Sequence, residues 1–314
     1  MQNRAFRQII AAVFLLVITT TLFGAGSFAA SDAGRTAANF LQIGAGADAA
    51  GMSGAYSSVA RGASAAYWNP ARIVSSGFTE ISLSHFMWYQ GIKLDHGAAA
   101  VLISPTVAIG ASVTFVDYGT IDAYDVSGNS IGQVSSYDMQ GGVSLSVALN
   151  EKLSVGVTGK YIGERLADLT ASTFAGDIGF SYQSTRWSFS AAAVNLGPGI
   201  KFEATTEKLP SALRVGIALM PFNPAFLTSL ELEKRLYGDI VVRNGVELNV
   251  KDQYYLRGGL NYFPQNSERK MGTGFSIGAG VRFGQAGLDY AFTPSDSYTS
   301  DDLHRFTLVM TLGR

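Results

Sequence analysis

The chain has 314 residues, 47% of them hydrophobic, with no cysteine and a formal net charge of −1. The lack of cysteine excludes disulfides, thiolate metal sites and cysteine catalysis, and the balanced charge argues against a nucleic-acid partner, which would leave a basic footprint. Glycine is abundant at 36 residues and proline scarce at 8, with many Tyr and Phe, which leaves a large soluble β-domain or a membrane barrel.

At the N-terminus Arg4 and Arg7 precede an apolar run from Ile9 to Phe23. Ser27-Phe28-Ala29 then supplies the small residues that a signal peptidase needs. Residues 1–29 are expected to be a cleaved export signal, since the run is shorter than the ~20 residues of a spanning helix. With no cysteine at the junction, lipid attachment is not expected.

Residues 30–77 form a separate segment whose centre, Gly44 to Ala71, reads GAGADAAGMSGAYSSVARGASAAYWNPA. It is too poor in large side chains to build its own core, and its small residues permit close backbone approach. Ala47–Ala50 and Ala55–Ala60 are expected as short helices broken at Gly51 and Gly54. Asn69 before Pro70 is a helix start, with the Asn side chain as cap and Pro in the first helical position. Tyr67 and Trp68 are placed to wedge against a surrounding wall. The segment reads as a hatch or plug, with Gly51, Met52, Gly54, Tyr67, Trp68, Asn69 and Pro70 as its seating residues. Two roles stand open for it: filling the barrel, or gating it.

From Phe78 to the end, 78–314, the periodicity is two. Leu153, Val155, Val157 and Tyr161 alternate with Ser154, Gly156, Thr158 and Lys160, and Leu213, Val215, Ile217 and Leu219 with Ala212, Arg214, Gly216 and Ala218. Phe275, Ile277, Ala279 and Val281 oppose Gly274, Ser276, Gly278 and Gly280, and Phe306, Leu308, Met310 and Leu312 oppose Arg305, Thr307, Val309 and Thr311. A sandwich core would make the second face bulky. Here it is small and polar, as in a crowded barrel interior with an apolar belt toward lipid. The expected fold is all-β, a transmembrane antiparallel β-barrel of about 14 strands with a small N-terminal helical hatch.

The strands are expected near 78–89, 95–104, 106–126, 135–150, 153–168, 172–184, 186–197, 209–221, 226–238, 240–250, 253–264, 272–284, 286–294 and 304–313. An even number returns both barrel ends to the periplasmic side, where the insert is expected to start. Trp88 and Tyr89, Tyr254 and Tyr255, Tyr262 and Phe263, and Tyr290 and Phe292 lie near strand ends, as interfacial girdles do. Asn195, Gly197 and Pro198 mark a possible kink in the wall, because Pro removes a ladder donor and Gly loosens a strand.

Catalytic patterns are weak. Gly274-Phe275-Ser276-Ile277-Gly278 matches a nucleophile elbow, with Asp289 and His304 following in hydrolase order, but an elbow needs a strand, a turn and a helix. This match lies inside an alternating strand. His85, His96 and His304 show no metal-ligand spacing. Asp125 to Ser130 reads as a hairpin turn, since it lacks the ordered ligands and closing Glu of a calcium loop. No enzyme, cofactor or metal is expected.

Ala50-Gly51-Met52-Ser53-Gly54-Ala55-Tyr56 and Ala66-Tyr67-Trp68-Asn69-Pro70-Ala71 resemble the N-terminal signature of the PorV/PorQ family, within the FadL-like outer-membrane barrels. Val194-Asn195-Leu196-Gly197-Pro198, Arg257-Gly258-Gly259 and Leu288-Asp289-Tyr290 extend the pattern over nearly the whole mature chain. Ser53 replaces a usual Gly, Arg61-Gly62 stands where an acidic pair is commoner, and the chain ends Leu312-Gly313-Arg314 without a terminal aromatic. The resemblance implies location in the bacterial outer membrane and a barrel with a hatch. It implies an accessory role in type IX protein secretion, with the translocon and cargo C-terminal domains as partners. The alternative it leaves open is a FadL-like passive transporter with a hydrophobic ligand.

Overall fold

The computed structural model describes residues 36–88, 91–222, 224–263, 273–294 and 302–312. The expected export signal, the first residues of the insert and Tyr89 lie outside them.

Alternating apolar and small polar residues have one arrangement that covers the apolar face with lipid and leaves no open edge, a closed barrel. The strands are β1 (Thr79–Met87), β2 (Lys93–Ser104), β3 (Val107–Tyr124), β4 (Ser130–Ala148), β5 (Leu153–Leu166), β6 (Leu169–Gln183) and β7 (Trp187–Leu196). A small hairpin, β8 (Ile200–Phe202) and β9 (Thr205–Glu207), follows. Then come β10 (Ala212–Leu219), β11 (Phe226–Arg235), β12 (Ile240–Val250), β13 (Tyr254–Tyr262), β14 (Thr273–Phe283), β15 (Ala286–Thr293) and β16 (Leu303–Leu312). All but β8 and β9 form one closed antiparallel sheet, β1 pairing with both β2 and β16. Leu83 stands opposite Leu308 at the closure. Fourteen strands make the wall.

Side-chain exposure sorts the two faces. Leu83, Val113, Phe275 and Leu308 are more than half exposed on the outside, which is the lipid belt of an outer-membrane barrel. Ser82, Ser144, Thr158, Ser190, Ser276 and Thr307 are buried on the inside. At one end the connections are tight, such as 105–106, 184–186 and 284–285. At the other, β3 and β4 run on into a protruding hairpin and 197–211 carries β8 and β9. Short turns belong to the periplasmic end of such barrels and loops to the outside.

The insert fills the lumen, and it runs from the loop end to the turn end. Thr36 bridges Lys208, and Ala37 N–H donates to the Lys208 carbonyl at 3.0 Å. Farther along, Ala63 N–H donates to Glu80 at 3.0 Å, near the start of β1. The expectation that the insert starts at the periplasmic end is therefore corrected for its described part. An even strand number decides where β1 begins, and says nothing of the direction from which the preceding chain arrives.

Within the insert a helix spans Ala47–Gly51, ending where Ser53 and Gly54 take positive φ of 51° and 77°. A second short helix spans Ala65–Trp68, and a 3₁₀ turn spans Pro70–Arg72. The expected helix over Ala55–Ala60 is absent. Val59 and Ala60 N–H close a single turn on the Tyr56 carbonyl, and the other backbone groups bond to the wall: Ser57 N–H to Glu231, Ser188 Oγ to the Ser58 carbonyl, and Ser229 Oγ to the Ala55 carbonyl.

Candidate functional site

The insert and wall fit through missing side chains. A β-carbon on Gly245 would lie 2.8 Å from the Met52 Cβ. One on Gly259 would lie 2.3 Å from the Met52 carbonyl carbon, and one on Gly156 2.4 Å from that of Pro70. Inward glycines are thus the mould in which the hatch lies. Polar wall groups then satisfy hatch donors: Thr307 takes Ala47 N–H at 2.8 Å, and Ser276 takes Ser53 N–H at 2.9 Å. Buried donors need such partners.

Of the singled-out hatch residues, Tyr67 and Gly54 lie against Trp68, while Gly51, Met52, Asn69 and Pro70 seat against wall glycines. Tyr67 donates its hydroxyl to the Leu41 and Ile43 carbonyls at 2.8 and 3.0 Å, and Trp68 Nε1 donates to the Ala45 carbonyl at 3.0 Å. Both rings therefore staple the hatch to its own upstream segment 41–45, while the Arg214 guanidinium lies 5.1 Å from the Trp68 ring. Asn69 accepts from Ala71 N–H at 3.0 Å, as a cap does, and donates to the Phe180 carbonyl of β6 at 3.1 Å. Gly54 lies beside Trp68 and Arg243. Met52 is fully buried.

Charge inside the lumen is gathered in networks. Arg257 holds Glu247 at 2.7 Å and Asp289 at 2.6 Å, and Arg282 holds Asp289 at 2.6 Å. Glu233 receives Arg214, Arg235 and Arg243 at 2.8, 3.0 and 3.2 Å. On the hatch, Asp48 accepts the Tyr56 hydroxyl at 2.6 Å. Burial, with Asp289 nearby, pushes the Asp48 carboxyl above its usual range. Burial also holds the Arg72 guanidinium down at about 10, with Arg61 adding to the effect.

Two cavities flank the hatch. The one toward the loop end has a volume of about 240 Å³ and is walled by Trp68, Phe86, Trp88, Val241, Phe263 and Leu303, with Arg305 and three further arginines among them. The other, about 300 Å³ and more polar, lies toward the turns between Asp48, Tyr56, Arg61, Glu80 and Tyr255. Helix Ala47–Gly51 and the turn to Tyr56 separate them. Trp88 and Phe263 thus face inward, where the sequence reading assigned them to a girdle. The parity of β1 carries the signal: Glu80, Ser82 and Ser84 face inward, and Phe86 and Trp88 continue the series.

At the end of β7 the wall is irregular. Gly176 pairs with Leu196 and Ile178 with Ala193, so β7 holds one extra residue there, a bulge. Asn195 takes a φ of 58°. Its N–H donates to Asp177 at 2.8 Å, and Lys160 Nζ bridges Asp177 and Asn195 at 2.6 and 2.8 Å. Gly197 has room for no side chain, since a β-carbon would lie 2.5 Å from the Phe174 carbonyl oxygen. Pro198 follows in the connection to the β8–β9 hairpin, and Ile200 of β8 and Leu209 just after β9 are buried in one apolar cluster with Phe40 and Leu41. On the lipid side of β6, β7 and β10 lies a groove of about 630 Å³ lined by Ile178, Phe180, Ala191, Ala193, Leu213 and Val215.

The hydrolase-like triplet does not converge. Ser276 is buried against Ser53, Asp289 is committed to two arginines, and His304 bonds Tyr290 on the outer face. Asp125 accepts Ser127 and Asn129 N–H groups at 2.8 and 2.9 Å, as in a hairpin turn. Among the described residues no group of His, Asp or Glu is placed to hold a metal.

No protein-family model matches the sequence, and no curated protein matches it. Solved structures do. The CymD monoaromatic hydrocarbon channel superposes with a TM-score of 0.67 at 13% identity, covering 87% of this chain and 98% of its own. The Pseudomonas putida toluene transporter TodX gives 0.60 at 14%, covering 85% and 97%. A Pseudomonas aeruginosa FadL homologue gives 0.55 at 13%, covering 84% and 97%. These likenesses correct the PorV/PorQ assignment. With it go the type IX secretion role and the translocon and cargo partners. The physical reason lies at the loop end, where the described connections 125–129, 167–168 and 236–239 are short and where hatch and wall residues line a cavity of small-molecule size. The chain is an outer-membrane barrel of fourteen strands with the fold of these channels.

Proposed function

We infer that this protein is a passive channel for small hydrophobic molecules, working without a chemical step. The observation that carries this reading is the cavity of about 240 Å³ on the loop side of the hatch, with Trp68 from the hatch and Phe86, Trp88, Phe263 and Leu303 from the wall. Ligand sites are concave and mostly apolar with a few polar groups, and this one stands where a molecule arriving from outside meets the obstruction. The fold likeness to proteins named as hydrocarbon channels supports the same substrate class.

On this reading residues 1–29 are the removed signal, 30–77 the hatch and 78–314 the barrel. Gly51, Met52, Gly54, Tyr67, Trp68, Asn69 and Pro70 seat a plug that shifts to let a molecule pass. The plug is held by hydrogen bonds and glycine contacts, each worth little alone. Asn195, Gly197 and Pro198 mark the weakest part of the wall and the place for a side path, with the groove across β6, β7 and β10 beyond it.

The test is uptake by intact cells whose own hydrocarbon channels are deleted. Expression of this chain is expected to speed accumulation of labelled toluene several-fold over an empty vector, with no effect on a sugar of similar size. Equal toluene rates would contradict the reading.

A further inference from the structure

Arg305 is the one guanidinium in the loop-side cavity that the protein leaves without a carboxylate among the described residues. It projects inward from β16, donates Nη1 to the Gly44 carbonyl and lies 4.3 Å over the Phe86 ring. Its Nε is buried and has no hydrogen-bond partner. The other three arginines of the cavity converge on Glu233, and Glu231 stands 3.5 Å from Arg243. Among the described residues four guanidiniums therefore face two carboxylates, and the unpaired one, Arg305, stands at an apolar wall.

A cation out of water is costly unless it is paired. Arg257 and Arg282 are given carboxylates, and Arg72, which has none among the described residues, is held at Nε and Nη1 by the Ala60 carbonyl and Ser181 Oγ, whereas the Arg305 Nε is left with no acceptor. A neutral hydrocarbon in this cavity would leave the Arg305 charge without a counter-ion. Size limits the partner as well. An apolar cavity of ~150 Å³ engineered in another protein holds benzene, so about 240 Å³ admits one ring with a small polar group attached. It is below the ~300–1,000 Å³ typical of larger ligands.

Resting on the channel reading above, we propose that the loop-side cavity selects compact organic anions, a single ring or short chain bearing a carboxylate. Arg305 holds the charged group, for which a guanidinium is the best-matched side chain. Trp68, Phe86 and Trp88 hold the apolar body.

Tryptophan emission of the purified barrel in lipid nanodiscs reads binding, since two of its three tryptophans line the cavity. The probes are phenylacetate, the neutral phenylacetamide of nearly equal shape, and toluene, at neutral pH. Phenylacetate is expected to bind at least about tenfold more tightly than the amide, a difference of ~1.4 kcal/mol. Arg305→Gln is expected to abolish that preference and Arg305→Lys to retain part of it. Equal binding of acid and amide to the wild type overturns the proposal without reference to any variant, and so does a preference that survives Arg305→Gln. Binding of toluene alone overturns the anion inference and leaves the channel reading standing. Binding of none of the three removes both.

Discussion

Gly51 of the hatch and Gly278 of β14 meet backbone to backbone: a β-carbon on Gly278 would stand 2.9 Å from the Gly51 Cα, and one on Gly51 would stand 3.0 Å from the Gly278 Cα. Both are backbone contacts, so no flexible side chain can yield. The hatch is seated by the absence of atoms in the wall.

Gly278→Val is therefore expected to loosen the hatch and spare the barrel. Valine suits a strand, and the outward face of β14 is untouched. Overpacking of this kind costs about 1–3 kcal/mol, which falls on the hatch–wall contact. Single-channel recording should show brief openings that the wild type lacks, while the folded barrel keeps its gel mobility without heating. A tight, silent channel would mean that the hatch absorbs the added methyl groups.

Asn69 and Gly179 form a coupled pair. A β-carbon on Gly179 would lie 2.1 Å from Asn69 Oδ1, and Asn69 bonds both Ala71 and the Phe180 carbonyl. Asn69→Ala is expected to destabilise the hatch by about 1–2 kcal/mol through the lost cap. Gly179→Ala should be more damaging in the wild type than in the Asn69→Ala background. Urea unfolding of the four proteins gives the coupling, and strict additivity would show that the two do not touch in solution.

The Asp48 carboxyl is held above the ordinary aspartate range by burial and by Asp289. The folded state binds this proton more tightly than the unfolded chain does. Its contribution to stability is thus fully present below the unfolded value and is lost as pH rises through the folded one. Asp48→Asn, which keeps an acceptor for Tyr56, should match or exceed the wild type in stability at neutral pH. The wild type should gain on it as the medium is acidified. Parallel curves for the two proteins would mean that Asp48 carries no such proton.

The barrel was legible because lipid on one side and a packed lumen on the other impose a strict period of two. The segment expected at 153–168 is Leu153–Leu166, and that expected at 240–250 is Ile240–Val250. The β8–β9 hairpin was not legible, since strands of three residues are too short to show alternation. Ala55–Ala60 has helical composition but is held by Glu231, Ser188 and Ser229, partners far along the chain. Phe86 and Trp88 could have been placed in the cavity from parity, yet an aromatic at a strand end reads equally well as a girdle. The motif around Met52 and Trp68 reports how a plug is seated in a wall of glycines. It carries no information on what passes the plug, and that is why it led toward secretion.

On the channel reading, a molecule passes only when the hatch moves. The chain has no cysteine of its own, and Ser53 Oγ and Ser276 Oγ lie 2.8 Å apart across the hatch–wall contact, so Ser53→Cys with Ser276→Cys places two thiols for a disulfide. Toluene uptake by cells carrying this double variant should fall to the empty-vector rate under oxidation and return on reduction. Unchanged uptake with the bond fully formed would contradict the account.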